Sequence, residues 1–237
     1  VAVPPVVTSV EHRAIKDAAY AAGAKKVYIM EEPMAAAIGA GLPIQEPIGS
    51  MIVDIGGGTT DVAVISLGGI VTSRSVRVGG DAFDTAIVNY IKSAYNLMIG
   101  ERTAEEVKMA IGSAAKLSGE SEARIRGRDL VSGLPKDLMV SPAEIRGAIE
   151  DQLLKVIAAI KATLDETPPD LVADLSRTGI VLAGGGALLK GLCERLTKET
   201  GMPVRVAEDP LYSVVNGAGK CVENIGLLQQ ILAPEKR

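Results

Sequence analysis

The segment DIGGGTTDV, residues 54–62, places three consecutive glycines between two runs of strand-forming residues. Glycine weakens the interior of a strand, so glycines there mark a tight turn, a bulge or a close approach to the backbone. The apolar runs 50–55, 60–67 and 70–78 are separated only by these glycines and by Gly68–Gly69. This pattern predicts an antiparallel meander of three strands. The glycine loop is then either an ordinary hairpin turn or a cradle of backbone amides for phosphate.

Helix signals surround the meander. A Ser or Thr followed three residues later by Glu predicts helix starts at Thr8, Thr103 and Ser141, and Asp81 predicts another. The segment KKVYIM reads as a short strand, and TPPDL breaks the chain after the long helix that starts near Ser141. Strands joined to helices through short glycine turns predict an α/β architecture, a mixed sheet with helices on its faces.

Composition excludes several classes of function. The chain has 237 residues, a net charge of −4 and only 3% aromatic residues, so neither a basic face nor a base-stacking surface for nucleic acid is expected. The single histidine, His12, leaves no histidine-based catalytic triad. Cys193 and Cys221 lack metal-ligand spacing and are expected to be reduced thiols. The apolar run PMAAAIGAGLPI is too short to span a bilayer.

The chemistry of the first glycine loop depends on its neighbours. Residues 56–60 lie between two strands, whereas a Walker loop or a Rossmann turn leads into a helix. Backbone amides of the loop could converge on phosphate oxygens while Asp54 holds Mg²⁺ through its waters. Glu32 follows a strand at a helix start, where it is either a cap or a group that orients a water attacking phosphorus.

Two further features have equally plain alternatives. Glu105 and Lys108 are three residues apart, the spacing of an ordinary ion pair on a helix surface. Residues 184–186 are a second triple glycine, between a strand and a helix. This turn either packs the helix tightly against the strand or lets a ligand touch the backbone.

Five segments resemble, in their order along the chain, the actin–chaperone–sugar-kinase ATPase superfamily. They are EEPMAAAIGAG, DIGGGTTDVAVISLGG, VGGDAFDTAI, GERTAEEVKMAIGSA and VLAGGGALLKG. The segments NLMIGERTAE, RGRDLVSGLPK and TPPDL are similar to those of the MreB family of bacterial actins, and the resemblance extends to about Gly219. It implies an actin-like (ribonuclease H-like) ATPase fold, in which two lobes close on ATP and Mg²⁺.

The resemblance also implies roles for individual residues. Glu32, Thr59 and Asp54 would be the catalytic residues. Glu32 and Thr59 would lie nearest to the γ-phosphate and the attacking water, and Asp54 would hold the metal. The nucleotide would be bound by residues from three segments of the chain, namely Gly56, Gly57, Gly58, Thr59, Glu105, Glu106, Val107, Lys108, Gly184, Gly185, Gly186, Ala187 and Leu188.

A division of the chain follows from the same resemblance. Residues 1–46 would be a remnant of the first-lobe core, 47–82 and 141–215 the second-lobe core, 83–140 a small second-lobe subdomain, and 216–237 a C-terminal helix returning toward the first lobe. The family's first phosphate loop, a D-x-G-T-type hairpin, has no counterpart here. The chain is therefore expected to be N-terminally truncated and, although the full-length family hydrolyses ATP, nearly inactive alone.

The implied function is an ATP-binding, filament-forming bacterial actin that maintains rod shape by organising cell-wall elongation. Expected partners are further copies in homopolymeric filaments, membrane-spanning elongation proteins such as RodZ and MreC, and the inner membrane surface through regions outside this sequence; no nucleic acid is expected. The expected location is cytoplasmic, at the inner face of the plasma membrane. A DnaK-type chaperone ATPase domain, a small-molecule kinase and a non-catalytic actin-like scaffold remain alternatives.

Overall fold

The computed structural model describes residues 1–224 of the chain. Two 3₁₀ turns, Gly185–Leu188 and Pro210–Tyr212, accompany the helices and strands. The elements follow in the order β1 Ala2–Val3, α1 Ser9–Ala21, β2 Met30–Glu31, α2 Glu32–Gly39, β3 Ser50–Ile55, β4 Thr60–Ser66, β5 Gly69–Val76, α3 Gly80–Tyr95, β6 Leu97–Met98, α4 Glu101–Ile111, β7 Ala123–Asp129, β8 Pro135–Val140, α5 Pro142–Glu166, α6 Pro169–Thr178, β9 Ile180–Ala183, α7 Leu192–Thr200, β10 Val204–Val206 and α8 Ser213–Glu223.

The largest sheet has five strands in the order β10–β9–β3–β4–β5. The strands β3, β4 and β5 pair antiparallel, which confirms the predicted meander, and β9 and β10 extend the sheet in parallel from β3. In this register Asp54 of β3 lies opposite Asp61 of β4. All six residues of β3 are buried, because helices cover both faces of the sheet.

The two faces of the sheet carry separate apolar clusters. On one face Met51, Val53 and Ile55 of β3 pack with residues of α3 and α5. On the other face Ile52 packs with α2 and α8. Since successive side chains of a strand point to opposite faces, Asp54 shares the face of Ile52 and α2. Helices on both faces of a mixed sheet confirm the predicted α/β architecture.

A second, three-stranded antiparallel sheet, β6–β7–β8, lies within the region 83–140. It packs against α4 through residues such as Ile125 and Val107, and the long helix α5 begins directly after β8. The placement of this sheet is compatible with the predicted small subdomain, whose limits stay a prediction.

Two of the four predicted helix starts are confirmed. Thr8 and Ser141 each form a complete capping box at the N-terminus of α1 and α5. Asp81 is not a cap, since α3 begins at Gly80 and its first amides donate to the carbonyls of the glycine loop. Thr103 lies inside α4, because β6 ends at Met98 and the helix begins almost directly after it.

Three other predictions are only partly confirmed. The strand expected in KKVYIM is reduced to Met30–Glu31, which pairs with β1. The chain does break at TPPDL, but a further helix, α6, begins at Pro169. The predicted C-terminal helix is seen as α8, and its continuation beyond 224 lies outside the described residues.

Candidate functional site

A cavity of about 270 Å³ opens where the loop after β3, the helices α3 and α4 and the turn after β9 meet. Three kinds of residue form its walls: glycine backbone, charged side chains and large apolar side chains. They are Gly56, Gly57, Gly80, Asp81, Phe83, Asp84, Glu105, Lys108, Met109, Gly112, Gly185, Gly186, Leu188, Leu189, Lys190 and Leu211. Such a mixture can hold a ligand that is anionic at one part and apolar at another.

The glycine wall, made of Gly56, Gly57 and Gly80, is held by backbone hydrogen bonds. The amides of Gly80 and Asp81 donate to the carbonyls of Gly56 and Gly57, each at 2.9 Å. A Cβ on Gly79 would lie 2.4 Å from the Gly57 oxygen, so only glycine permits this approach of α3 to the loop. The N-terminal end of α3 therefore lies against the loop, where its dipole favours a bound anion.

The second triple glycine also makes a close backbone contact. Gly184 has a φ of +78°, and a Cβ there would lie 2.3 Å from the carbonyl oxygen of Ile55 and 2.5 Å from Asp54 Oδ1. Its amide donates to the Pro210 carbonyl at 2.8 Å. The turn after β9 is thereby held against the end of β3, so the two glycine loops border one cavity.

Three carboxylates form an acidic group at the ends of β3 and β4 and the start of α2. Burial, then the charges of Asp61 and Glu32, raise the pKa of Asp54 to about 7. Burial, followed by the Asp61 charge, raises the pKa of Glu32. Asp61 Oδ2 accepts a hydrogen bond from Thr59 Oγ1 at 3.0 Å, whereas Asp61 Oδ1 is buried without a donor in the part of the chain that the structure describes. Concentrated negative charge with an unsatisfied oxygen fits a nearby cation.

The cation that fits this acidic group is a hard, oxygen-seeking one. Within residues 1–224, no three His, Cys, Asp or Glu side chains are arranged to ligate a metal directly. Mg²⁺ usually keeps several of its waters and uses few carboxylates, so Asp54 could hold it through those waters as predicted.

A charged pair stands on another part of the wall. Lys108 Nζ of α4 donates to Asp84 Oδ2 of α3 at 2.8 Å and to the carbonyl of Gly80 at 3.1 Å. Burial raises the pKa of Asp84, although the hydrogen bond and charge of Lys108 act against this. Asp84 Oδ1 is buried and has no hydrogen-bond donor among residues 1–224.

The structure brings most of the predicted site residues together. Seven line the cavity, two belong to the acidic group, and one donates a hydrogen bond to that group, while Gly184 lies against Ile55 and Asp54. The seven are Gly56, Gly57, Glu105, Lys108, Gly185, Gly186 and Leu188, the two are Glu32 and Asp54, and the donor is Thr59.

Four predicted residues lie elsewhere. Gly58 is exposed at the loop tip, and a Cβ on it would have no atom within 4 Å. Glu106 points outward and pairs with Arg102 at 3.0 Å. Val107 and Ala187 belong to the apolar core. Their roles in ligand binding stay predictions.

Sequence reasoning missed several residues of the site. Asp61 could have been found, because it mirrors Asp54 across the glycine loop and antiparallel pairing sets the two opposite each other. Asp84 lies in the segment GGDAFD, but no local pattern pairs it with Lys108 on another helix. Met109 and Leu211 join the cavity only through tertiary packing.

Among residues 1–224 there is no helix with the length and apolar character that crossing a membrane requires.

Comparison with known proteins agrees with this geometry. Residues 1–230 match the model of the protein family described as MreB/Mbl protein. The cell shape-determining protein MreB of Escherichia coli (strain K12) is 52% identical over 227 residues, which cover 96% of this chain and 65% of that protein. The chain thus spans about 65% of the length of this relative.

Solved structures show the same fold. The crystal structure of MreB5 of Spiroplasma citri bound to AMPPNP superposes with a TM-score of 0.92 and 44% identity, covering 95% of this chain and 68% of that one. A chain of the MamK double helical filament, 22% identical, superposes with a TM-score of 0.80 over 94% of this chain and 67% of its own length, and supports the fold alone. The chain has the actin-like fold, and it belongs to the MreB/Mbl family of bacterial actins.

Proposed function

We propose that this chain binds ATP with Mg²⁺ in the cavity between its two glycine loops, as part of a filament-forming bacterial actin. The observation that carries this proposal is the convergence of both glycine loops and the N-terminal end of α3 on one cavity, with Asp54 of the acidic group in contact with the second glycine loop at Gly184. The similarity to an MreB5 structure bound to AMPPNP supports it, because that protein is 44% identical to this chain.

Each part of the site has a task in nucleotide binding. The glycine wall has no side chains to keep phosphates from the backbone amides, and the dipole of α3 favours their charge. The exposed apolar side chains of Met109, Leu188 and Leu211 would cover the base. Asp54 would hold Mg²⁺ through waters, and the ion would neutralise phosphate charge.

Glu32 is the candidate for handling the attacking water. It is the first residue of α2, it interacts electrostatically with Asp61, and its pKa is raised by burial. A carboxylate with a raised pKa is a better proton acceptor for a water molecule than an ordinary one. Thr59, fixed by its hydrogen bond to Asp61, would orient groups near the terminal phosphate.

We further propose that the protein acts as its MreB relative is named, as a determinant of cell shape. Its filaments would consist of further copies of itself and would organise cell-wall elongation together with membrane-spanning proteins such as RodZ and MreC. The location would be cytoplasmic, at the inner face of the plasma membrane. MamK, which shares the fold at 22% identity, is a protein whose own copies assemble into a double helical filament.

The test of nucleotide binding uses Gly58→Val. A Cβ on Gly58 meets nothing within 4 Å, and Gly58 is not among the residues with positive φ, so valine fits the folded chain. Gly58 lies outside the cavity lining but directly follows Gly57 of the glycine wall. We expect unchanged thermal unfolding but at least about tenfold weaker Mg-ATP binding, since a branched side chain next to Gly57 would hinder the approach of phosphate to the loop amides.

Gly100→Val is the matched control, because a Cβ on Gly100 also meets no atom of the described residues within 4 Å and Gly100, at the start of α4, does not adjoin the glycine wall. Equal ATP affinity for Gly58→Val, Gly100→Val and the wild type would show that the loop is an ordinary turn. Binding can be measured by titration calorimetry on the purified chain.

A further inference from the structure

The predicted binding residues include Lys108 but not the aspartate that holds it. Asp84 accepts a hydrogen bond from Lys108 Nζ at 2.8 Å, and the pair joins α3 to α4. The two side chains are only 10% and 15% exposed, so the pair is largely shielded from solvent. It is more deeply buried than the pair of Arg146 with Glu120, and unlike that pair it stands on the cavity wall.

The position of the pair along the cavity indicates which part of a nucleotide it meets. Lys108 precedes Met109 on α4, and Met109 contributes to the apolar wall. The Lys108 ammonium also reaches the carbonyl of Gly80, which belongs to the glycine wall. The pair therefore lies where the two walls meet. For a nucleotide with its phosphates on the glycine wall and its base on the apolar wall, this is the place of the sugar.

Within the described residues, the Lys108 ammonium has one N–H group left for that sugar. A lysine ammonium has three N–H groups, and two of them donate to Asp84 and Gly80. Two fixed acceptors define the direction of the third N–H, which a flexible lysine side chain would not otherwise hold. Asp84 keeps one buried oxygen without a donor, an arrangement that costs stability. That cost is understandable when the carboxylate serves to place the ammonium for a ligand.

We propose that Asp84 is a positioning residue, which holds Lys108 so that its remaining N–H donates to the 2′-hydroxyl of a bound ribonucleotide. This inference rests on the proposed nucleotide binding and deepens it. The contact would make the cavity selective for ribonucleoside over 2′-deoxyribonucleoside triphosphates. This selectivity would depend on Asp84, although Asp84 need not touch the ligand.

The experiment compares Mg-ATP with Mg-2′-deoxy-ATP by titration calorimetry on the purified 237-residue chain. The wild type is expected to prefer ATP about tenfold, the effect of one hydrogen bond from a charged donor. In Asp84→Ala the preference falls to about one, since the Gly80 carbonyl alone does not define the direction of the remaining N–H groups. Asp84→Asn gives an intermediate value, because its amide oxygen still accepts from Lys108. Asp151→Asn, an exposed change on α5, keeps the wild-type preference.

A double-mutant cycle separates positioning from general structural damage. Lys108→Met removes the preference for ATP, and adding Asp84→Ala to it changes the preference no further, because Asp84 acts through Lys108. A merely structural role would weaken the binding of both nucleotides alike and leave their ratio unchanged. Thermal unfolding without ligand shows which variants are folded, and Asp84→Asn, which keeps the side-chain volume, serves where the alanine variant does not fold.

Three results would overturn the inference: equal affinity of the wild type for both nucleotides, a wild-type ratio in the Asp84 variants, or a further loss of selectivity in the double variant. Failure of the wild type to bind either nucleotide is a different outcome, since it would contradict the proposed function itself.

Discussion

Two groups of acidic side chains in this protein have opposite surroundings. Glu32, Asp54 and Asp61 face one another, and burial together with their mutual repulsion raises the pKa of Asp54 to about 7. Glu144, at the start of α5, accepts hydrogen bonds from the amide and hydroxyl of Ser141 at 2.8 and 2.7 Å, from Tyr90 at 3.1 Å and from Tyr95. These bonds, those of Ser141 and Tyr95 first, lower the pKa of Glu144 to about 2.

The comparison distinguishes Glu144, whose charge the chain itself stabilises, from Asp54, whose charge requires a bound cation for its stabilisation. Glu144 receives its donors from the chain itself, so its charge is stabilised without a ligand, and it joins α5 to α3. Asp54 and Asp61 have mostly like-charged neighbours, and one oxygen of Asp61 lacks any donor. Removing a carboxylate charge from the acidic group should therefore stabilise the folded protein, whereas removing the charge of Glu144 at the start of α5 should destabilise it.

The largest effect expected concerns turnover. Glu32→Gln, tested in a longer protein that includes the first phosphate loop, keeps the size of the side chain but removes its ability to accept a proton. Nucleotide binding should persist while phosphate release slows by roughly 10²–10⁴-fold, the usual contribution of a general base. A single-turnover measurement of released phosphate beside calorimetric ATP binding checks this. If hydrolysis by the variant stays within a few-fold of the wild type, Glu32 is only the first residue of its helix.

The next effect concerns stability and its pH dependence. A folded-state pKa of about 7, raised from 3.8, means that folding favours protonated Asp54. This contribution is fully present below about pH 4 and is lost as the pH rises through 7. Asp54→Asn should therefore unfold roughly 8–16 °C higher than the wild type near pH 8 without ligand, the shift expected for about 4 kcal/mol in a chain of this size.

The same Asp54 variant should show little gain at acidic pH, where the wild-type carboxyl is already protonated. The exposed Asp165→Asn provides the control for a simple change in net charge. Equal melting temperatures of wild type and Asp54→Asn at both pH values, by calorimetry, would mean that the acidic group carries no electrostatic strain.

The smallest effect concerns the helix start. Glu144→Ala removes half of the capping box and the acceptor for two tyrosines, and should lower the free energy of unfolding by about 2 kcal/mol near neutral pH. Because the pKa of Glu144 is depressed, the wild-type advantage exists above its ordinary pKa of 4.5 and is lost as the pH falls toward 2. Urea unfolding of the wild type and the variant at neutral pH, and again at a pH between these two pKa values, measures the loss of stability and its pH dependence.

This variant also sharpens the comparison of the two acidic groups. Glu144 lies outside the cavity lining, so ATP affinity of folded Glu144→Ala should remain within about twofold of the wild type. A large loss of affinity would show that the helix start and the cavity are energetically coupled, and the contrast between the two groups would fail.

Local sequence signals predicted the fold where local interactions determine it. The meander, the capping boxes at Thr8 and Ser141 and the two glycine turns follow from neighbouring residues alone. Asp81 failed as a cap because the loop carbonyls of another element accept the first amides of α3. The pairing of Asp84 with Lys108 could not be predicted either, since it depends on how two helices meet.

The parallel pairing of β3 with β9 has a consequence for how the chain folds. Met51 pairs with Ile180, so more than half of the chain lies between two strands that are neighbours in the sheet. The meander β3–β5 can form from nearby residues, whereas the docking of β9 must close a long loop, and such non-local contacts slow folding. The two glycine loops follow these same two strands. The cavity therefore forms only when β9 pairs with β3. The time at which nucleotide binding appears during refolding should show when β9 docks.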